Sequence, residues 1–190
     1  MPESLFKLTK RTINAGHVFS AEAEMKYFYS SPGSKAELLE TIGKLEPGKC
    51  KFTFAHNKWS NHELLAYLLE QIGPAEVFIT SWSITEAPMQ KLIALVESGR
   101  ITKLRCLFSD RVPVMSPNAH QVVTYNKIDI KLGKCHAKII AIRNKEWGVV
   151  AIGSANFTNN PRWEAGVVCP DKTVCDMYIS GIKKAIEDEA

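Results

Sequence analysis

Between residues 25 and 108 short apolar runs alternate with stretches of helical period, an order that suits a sheet flanked by helices far better than a helical bundle or an antiparallel sandwich. MKYFYS (25–30) reads as a strand, SKAELLETIG (34–43) as a helix closed by Gly43 and the Pro47-Gly48 turn, and CKFTFA (50–55) as a second strand. In SNHELLAYLLEQIG (60–73), Ser60 and Glu63 stand at capping-box spacing, Leu64, Leu65, Leu68 and Leu69 form one apolar stripe, and Gly73-Pro74 stops the helix. AEVFITSW (75–82) is a strand, TEAPMQKLIALVESG (85–99) a helix with Pro88 in its first turn, and ITKLRCLF (101–108) the next strand. Further on, residues 111–126 hold a short helix opened at Ser116-Pro117, KIDIKL (127–132) is a strand, and residues 172–188 form a closing helix. The expected fold is α/β, a mixed and largely parallel sheet with helices on its faces. Residues 1–20 have no clear period and are expected to form an arm or dimer-contact segment, leaving 21–190 as one domain, a size that supports a single well-packed core. There is no internal repeat and no low-complexity linker.

The chemistry is concentrated near residue 136. Successive side chains of an extended segment alternate faces, so His136 and Lys138 project to one side and Ala137 to the other. The run Ile139-Ile140-Ala141-Ile142 is continuously apolar, as suits a central strand buried on both faces, which gives the pair a rigid mount. A second run, Val149-Val150-Ala151-Ile152, reads as the neighbouring strand, and Gly153 at its end lets the backbone approach a ligand. Ser154 and Asn156 follow two residues apart. A nucleophile, a cation and hydroxyl and amide donors are thus gathered where one small anion, a phosphodiester, would sit.

Residues 135–168 resemble the catalytic half of the phospholipase D superfamily, whose pattern is H-x-K, four residues, D, then G-S-x-N after a short strand. HAKIIAIR, VVAIGSANFT and WEAG carry the match, with His136, Lys138, Gly153, Ser154 and Asn156 in register and Glu164 where many members have a later carboxylate. The aspartate position holds Arg143. The resemblance implies a metal-free mechanism without a cofactor, in which His136 attacks phosphorus to give a covalent phosphoenzyme that water then hydrolyses. Lys138 and Asn156 would hold the non-bridging oxygens, Ser154 would be a supporting donor, and Glu164 would accept a hydrogen bond from His136. Members with a single HxK pair as homodimers with a shared active site, so His136 of the partner subunit is the expected general acid. An activity without turnover, nucleic-acid binding alone, is an open alternative for which Arg143 is the hint. Phospholipid hydrolysis or phosphatidyl transfer is another, although the chain has neither the duplication nor a strongly apolar amphipathic helix that would favour it.

Charge distribution points towards a polyanion. Residues 91–145 carry eleven Lys/Arg against Glu97, Asp110 and Asp129, a local balance of +8 within a chain whose net charge is +4. Some of these, Lys103 and Arg105 among them, equally fit the solvent face of an alternating strand. Nucleic acid, DNA more than RNA, is the expected partner, with Trp82, Lys134, Arg143, Arg162 and Trp163 as candidate contacts and the two tryptophans as stacking surfaces. The five cysteines are odd in number and scattered, which reads as buried thiols, Cys135 included, and not as a disulfide framework. With no apolar run long enough to span a bilayer and no apolar core at the start, the expected location is the cytoplasm. His56 and His62 have a spacing seen in metal pairs, but no second pair accompanies them, so they read as loop and capping-region residues. His17 and His120 are isolated.

Overall fold

The structure is a computed structural model that describes residues 24–28, 35–56, 59–126, 128–159 and 162–189. The arm expected over residues 1–20 lies outside these. Along the chain run β1 (Glu24–Phe28), α1 (Lys35–Thr41), β2 (Lys51–His56), α2 (Asn61–Ile72), β3 (Ala75–Ser81), α3 (Glu86–Glu97) and β4 (Ile101–Ser109). Then come α4 (Val112–Met115), α5 (Pro117–Tyr125), β5 (Asp129–Gly133), β6 (Ile139–Arg143), β7 (Gly148–Gly153), β8 (Trp163–Cys169) and α6 (Lys172–Asp188).

Among the described residues the strands form one eight-stranded sheet in the order β1-β2-β8-β7-β6-β3-β4-β5. The pairs β1–β2, β3–β4 and β4–β5 are parallel, whereas β2–β8, β3–β6, β6–β7 and β7–β8 are antiparallel. The sheet is therefore mixed, and only β6 and β8 run against the other strands. At one edge the carboxyl ends of β2, β3 and β7 consequently meet the amino ends of β6 and β8. Every segment of the HxK and GSAN pattern opens onto that edge, where α/β sheets commonly hold their ligands.

The central strands are apolar on both sides because helices cover both faces. Ile140 and Ile142 of β6, with Val77 and Ile79 of β3 and Val149 of β7, pack under the helical layer that contains Leu65, Leu68, Leu69 and Leu92. Phe78, Ala141 and Val150, on the opposite face, meet Cys175, Ile179 and Ile182 of α6. Gly148 permits that docking, since a Cβ there would stand 2.7 Å from Lys172 Cα.

Local signals explain the helix ends that matter for the site. The capping box forms as its spacing predicts: Ser60 N donates to Glu63 Oε2 at 2.8 Å, an arrangement worth about 0.5–2 kcal/mol and one that fixes where α2 begins. Gly73, at φ 79°, ends the same helix in a conformation that favours glycine. Asp171 caps α6 by accepting from Val174 N at 2.9 Å. No helix of the described residues is long and apolar enough to cross a membrane.

Two expectations are refined. The HxK tripeptide lies in the segment just before β6, not inside it, because the β3–β6 pairing ends at Thr80 and Ile139 and β3 itself ends one residue later. The strand β8 was not anticipated; Ala165 and Gly166 interrupt its apolar run, and tertiary pairing with β2 and β7 supplies what local propensity does not.

Candidate active site

His136 is exposed while Cys135 beside it is buried, but Ala137 is exposed as well, so the strict alternation inferred from the sequence does not run through this segment ahead of β6. His136 and Lys138 do share a side: Lys138 Nζ lies 3.3 Å from His136 Nδ1 and donates to the His136 carbonyl at 2.6 Å. Partial burial lowers the pKa of Lys138, an effect opposed by the Glu164 charge. Burial raises that of Cys135, which keeps its sulfur a thiol. The Trp82 ring stands 5.8 Å from the His136 ring, tilted by 48°, so the end of β3 supplies an aromatic wall for the histidine.

The GSAN loop is held to its neighbours by a dense set of bonds. Gly153 N donates to the Lys138 carbonyl at 3.2 Å, which ties the two halves of the motif together. A Cβ on Gly153 would meet Ala165 O at 2.7 Å, so the close approach of β7 to β8 requires glycine here. Ile84 bridges Phe157, Thr85 N donates to Phe157 O at 3.0 Å, and both Ile84 and Phe157 are fully buried. The loop after β3 and the loop after β7 are thus joined as one unit.

Within this unit Asn156 is oriented by a residue that sequence reading passed over. Ser81, fully buried at the end of β3, accepts from Phe157 N at 3.2 Å, and its hydroxyl reaches the Ser83 carbonyl at 2.7 Å and Asn156 Oδ1 at 3.2 Å. Ser83 N also donates to Asn156 Oδ1, at 3.3 Å. With the oxygen of the amide occupied, its Nδ2 is left to donate to a ligand. A serine next to a tryptophan at a strand end carries no sequence signal of this role.

Ser154 and Glu164 form a pair. Ser154 Oγ donates to Glu164 Oε2 and accepts from Ala165 N at 3.0 Å. The bond expected between His136 and Glu164 is not the one formed: Glu164 is taken by Ser154, and the histidine Nδ1 faces Lys138. Glu164 instead acts on the pair through the charge it presents to Lys138.

Beside the histidine opens a cavity of about 280 Å³ lined by Lys138, Asn156 and Glu164, and also by Thr158, Arg162, Lys91 and the first turn of α2. His136 stands next to it through Lys138. His62, read from the sequence as a capping-region residue, is 2% exposed on that first turn. Burial and the Lys91 charge lower its pKa to about 4, so its ring is neutral at neutral pH. Among the described residues no group of three or more His, Cys, Asp or Glu is arranged to hold a metal ion.

The remaining sequence candidates divide. Arg162 reaches the cavity, and Lys134 is exposed two residues before the histidine. Trp163 does not: it lies on the opposite face of β8 from Glu164, 5.1 Å from the rings of Phe54 and His56. Nor does Arg143, which ends β6 far from the motif and is ion-paired with Asp176 of α6. This cation therefore finds a carboxylate on the helix that covers this end of the sheet. Arg105, paired with Asp129 at 2.8 Å, belongs to the solvent face of β4, as its alternation implied.

A mixed sheet brings an exposed histidine, a lysine and an oriented amide together at the meeting of its strand ends, and the class it defines is α/β. Comparison with solved structures finds a similar fold in a phospholipase D family member and in other proteins. Nuc from Salmonella typhimurium, a phospholipase D family member, superposes with a TM-score of 0.55 at 16% identity, covering 72% of this chain and 93% of its own. NucT from Helicobacter pylori gives 0.50 at 18% identity, covering 73% and 97%. Polyphosphate kinase from Porphyromonas gingivalis gives 0.56 at 15% identity, over 85% of this chain but 30% of the kinase. No family model matches the sequence, and no curated protein matches it.

Proposed function

We propose that the chain is a metal-independent phosphodiesterase, a nuclease acting on DNA in preference to RNA as a homodimer, through a phosphohistidine on His136. One observation carries this reading: the two halves of the motif converge, with Lys138 Nζ 3.3 Å from His136 Nδ1 and Lys138 and Asn156 lining one cavity. The likeness to two proteins called Nuc and NucT favours a nuclease among the phosphodiesterases, while a kinase on the same fold leaves the decision to the site itself.

In the proposed reaction the imidazole attacks phosphorus, the bond from phosphorus to the leaving oxygen breaks, and His136 of the partner subunit protonates that oxygen. Water then attacks the phosphohistidine, giving its proton back to the partner's imidazole as the bond from nitrogen to phosphorus breaks. Lys138 and the Nδ2 of Asn156 are placed to meet charge developing on the non-bridging oxygens. His62 does not serve as the acid, because a ring that is neutral at neutral pH has no proton to give of the required strength. That is the reason to retain the second subunit. Five free thiols are in keeping with the cytoplasmic setting expected from the sequence.

The test is hydrolysis of a labelled oligonucleotide and of bis(p-nitrophenyl) phosphate by purified protein in excess chelator. Both are expected to be cleaved at the same rate as without chelator. Turnover that appears only when magnesium is added would overturn the mechanism.

A further inference from the structure

The cavity beside the HxK pair is larger than a single phosphate group needs; at about 280 Å³ it approaches the small end of pockets that hold whole small ligands, about 300 Å³. We propose that its outer part, formed by Lys91 of α3 and Arg162 against the first turn of α2, is a subsite for the phosphate that neighbours the scissile one in a nucleic-acid strand. The proposal rests on the phosphodiesterase reading and gives that site its substrate class, a chain of linked phosphates in place of a lone diester.

Charge and bonding favour an anion there. The charged side chains lining the cavity are Lys91, Lys138 and Arg162 against Glu63 and Glu164. Both carboxylates are engaged: Glu63 Oε2 accepts from Ser60 N at 2.8 Å and from Ser60 Oγ at 2.9 Å, and Glu164 accepts from Ser154. Lys91 and Arg162 have no carboxylate partner among the described residues, so their donors remain for a ligand. With the Ser60 proton given to Glu63, His62 donates Nδ1–H to Ser60 Oγ at 2.7 Å and lines the cavity as a neutral ring.

The first turn of α2, which lines the cavity, is also tied to the motif. Asn61 Nδ2 donates to the Ala155 carbonyl at 2.6 Å, which fastens the first turn of α2 to the GSAN loop itself. A strand whose reacting phosphate meets Lys138 and Asn156 would find Lys91 and Arg162 in the same cavity, and phosphate contacts of this sort set register without reading sequence.

The experiment compares two substrates, a short oligonucleotide and bis(p-nitrophenyl) phosphate, which has one phosphate and no neighbour. In the full-length chain, Lys91→Ala is expected to raise KM for the oligonucleotide roughly tenfold relative to KM for the small diester, and to reduce the salt slope of oligonucleotide cleavage by about 1. Lys91→Arg should restore both. An equal change in KM on the two substrates, or none on the oligonucleotide, would overturn the subsite while leaving the phosphodiesterase reading intact. A wild-type protein that cleaved neither substrate would overturn both.

Discussion

Alanine at position 136 is expected to lower phosphodiester hydrolysis on the order of 10⁴-fold or more, the scale on which removal of a covalent nucleophile acts. In a homodimer with a shared site the substitution removes the attacking ring and the proton donor together, so neither half-reaction is spared. The loss would be chemical and not structural. His136 is exposed, its polar contact is with Lys138, and its removal opens no cavity in the core. Thermal unfolding and circular dichroism of His136→Ala should match the wild type while single-turnover cleavage disappears. A variant that retained a tenth of the wild-type rate would show that the histidine is a bystander.

Asn156→Ala should reduce kcat by roughly 10²–10³-fold with a smaller change in KM, as expected when a fixed donor to a developing oxyanion is lost. The bonds around the amide refine this expectation. Asn156→Asp keeps an oxygen for Ser81 and Ser83 but turns the donor into a carboxylate facing the phosphate, so it should be at least as damaging as alanine. Ser81→Ala leaves Asn156 in place but unhooks one of the two bonds on Oδ1, and should cost kcat roughly tenfold by freeing the amide to rotate. It also strips the buried Phe157 N–H of its acceptor, a change worth about 1–3 kcal/mol of stability. Steady-state kinetics on the folded fraction separate the two effects. If Ser81→Ala were less stable but turned over at the wild-type kcat, the serine would be a structural support and the amide would be oriented by other means.

Much of the architecture was readable because its signals are local. The Ser60–Glu63 box, the leucine stripe of α2 and the doubly buried run at Ile140-Ala141-Ile142 each specify their element from a few residues, and each formed as expected. Two proximities at the proposed site were also readable: His136 lies beside Lys138, and Lys138 and Asn156 line one cavity. What sequence missed depends on contacts between distant segments. Strand β8 exists because β2 and β7 pair with it, across more than a hundred residues in the case of Thr53 and Gly166. Ser81 reaches Asn156 over a separation of 75 positions, and His62 and Lys91 join the motif only after α2 and α3 pack on the sheet. Trp163 and Arg143 show the converse. Proximity in sequence to Glu164 and to the HxK did not carry either side chain to the cavity, since strand alternation turned one to the other face and strand length took the other to the far end.

The claim on which the account stands is a transient bond between a nitrogen of His136 and phosphorus. Wild-type protein mixed with a labelled oligonucleotide, quenched in alkaline denaturant within a turnover and mapped by mass spectrometry should yield an acid-labile peptide spanning His136 that carries the retained half of the oligonucleotide through a nitrogen–phosphorus bond. Turnover with no such adduct at any quench time, or label found on a different residue, would contradict it.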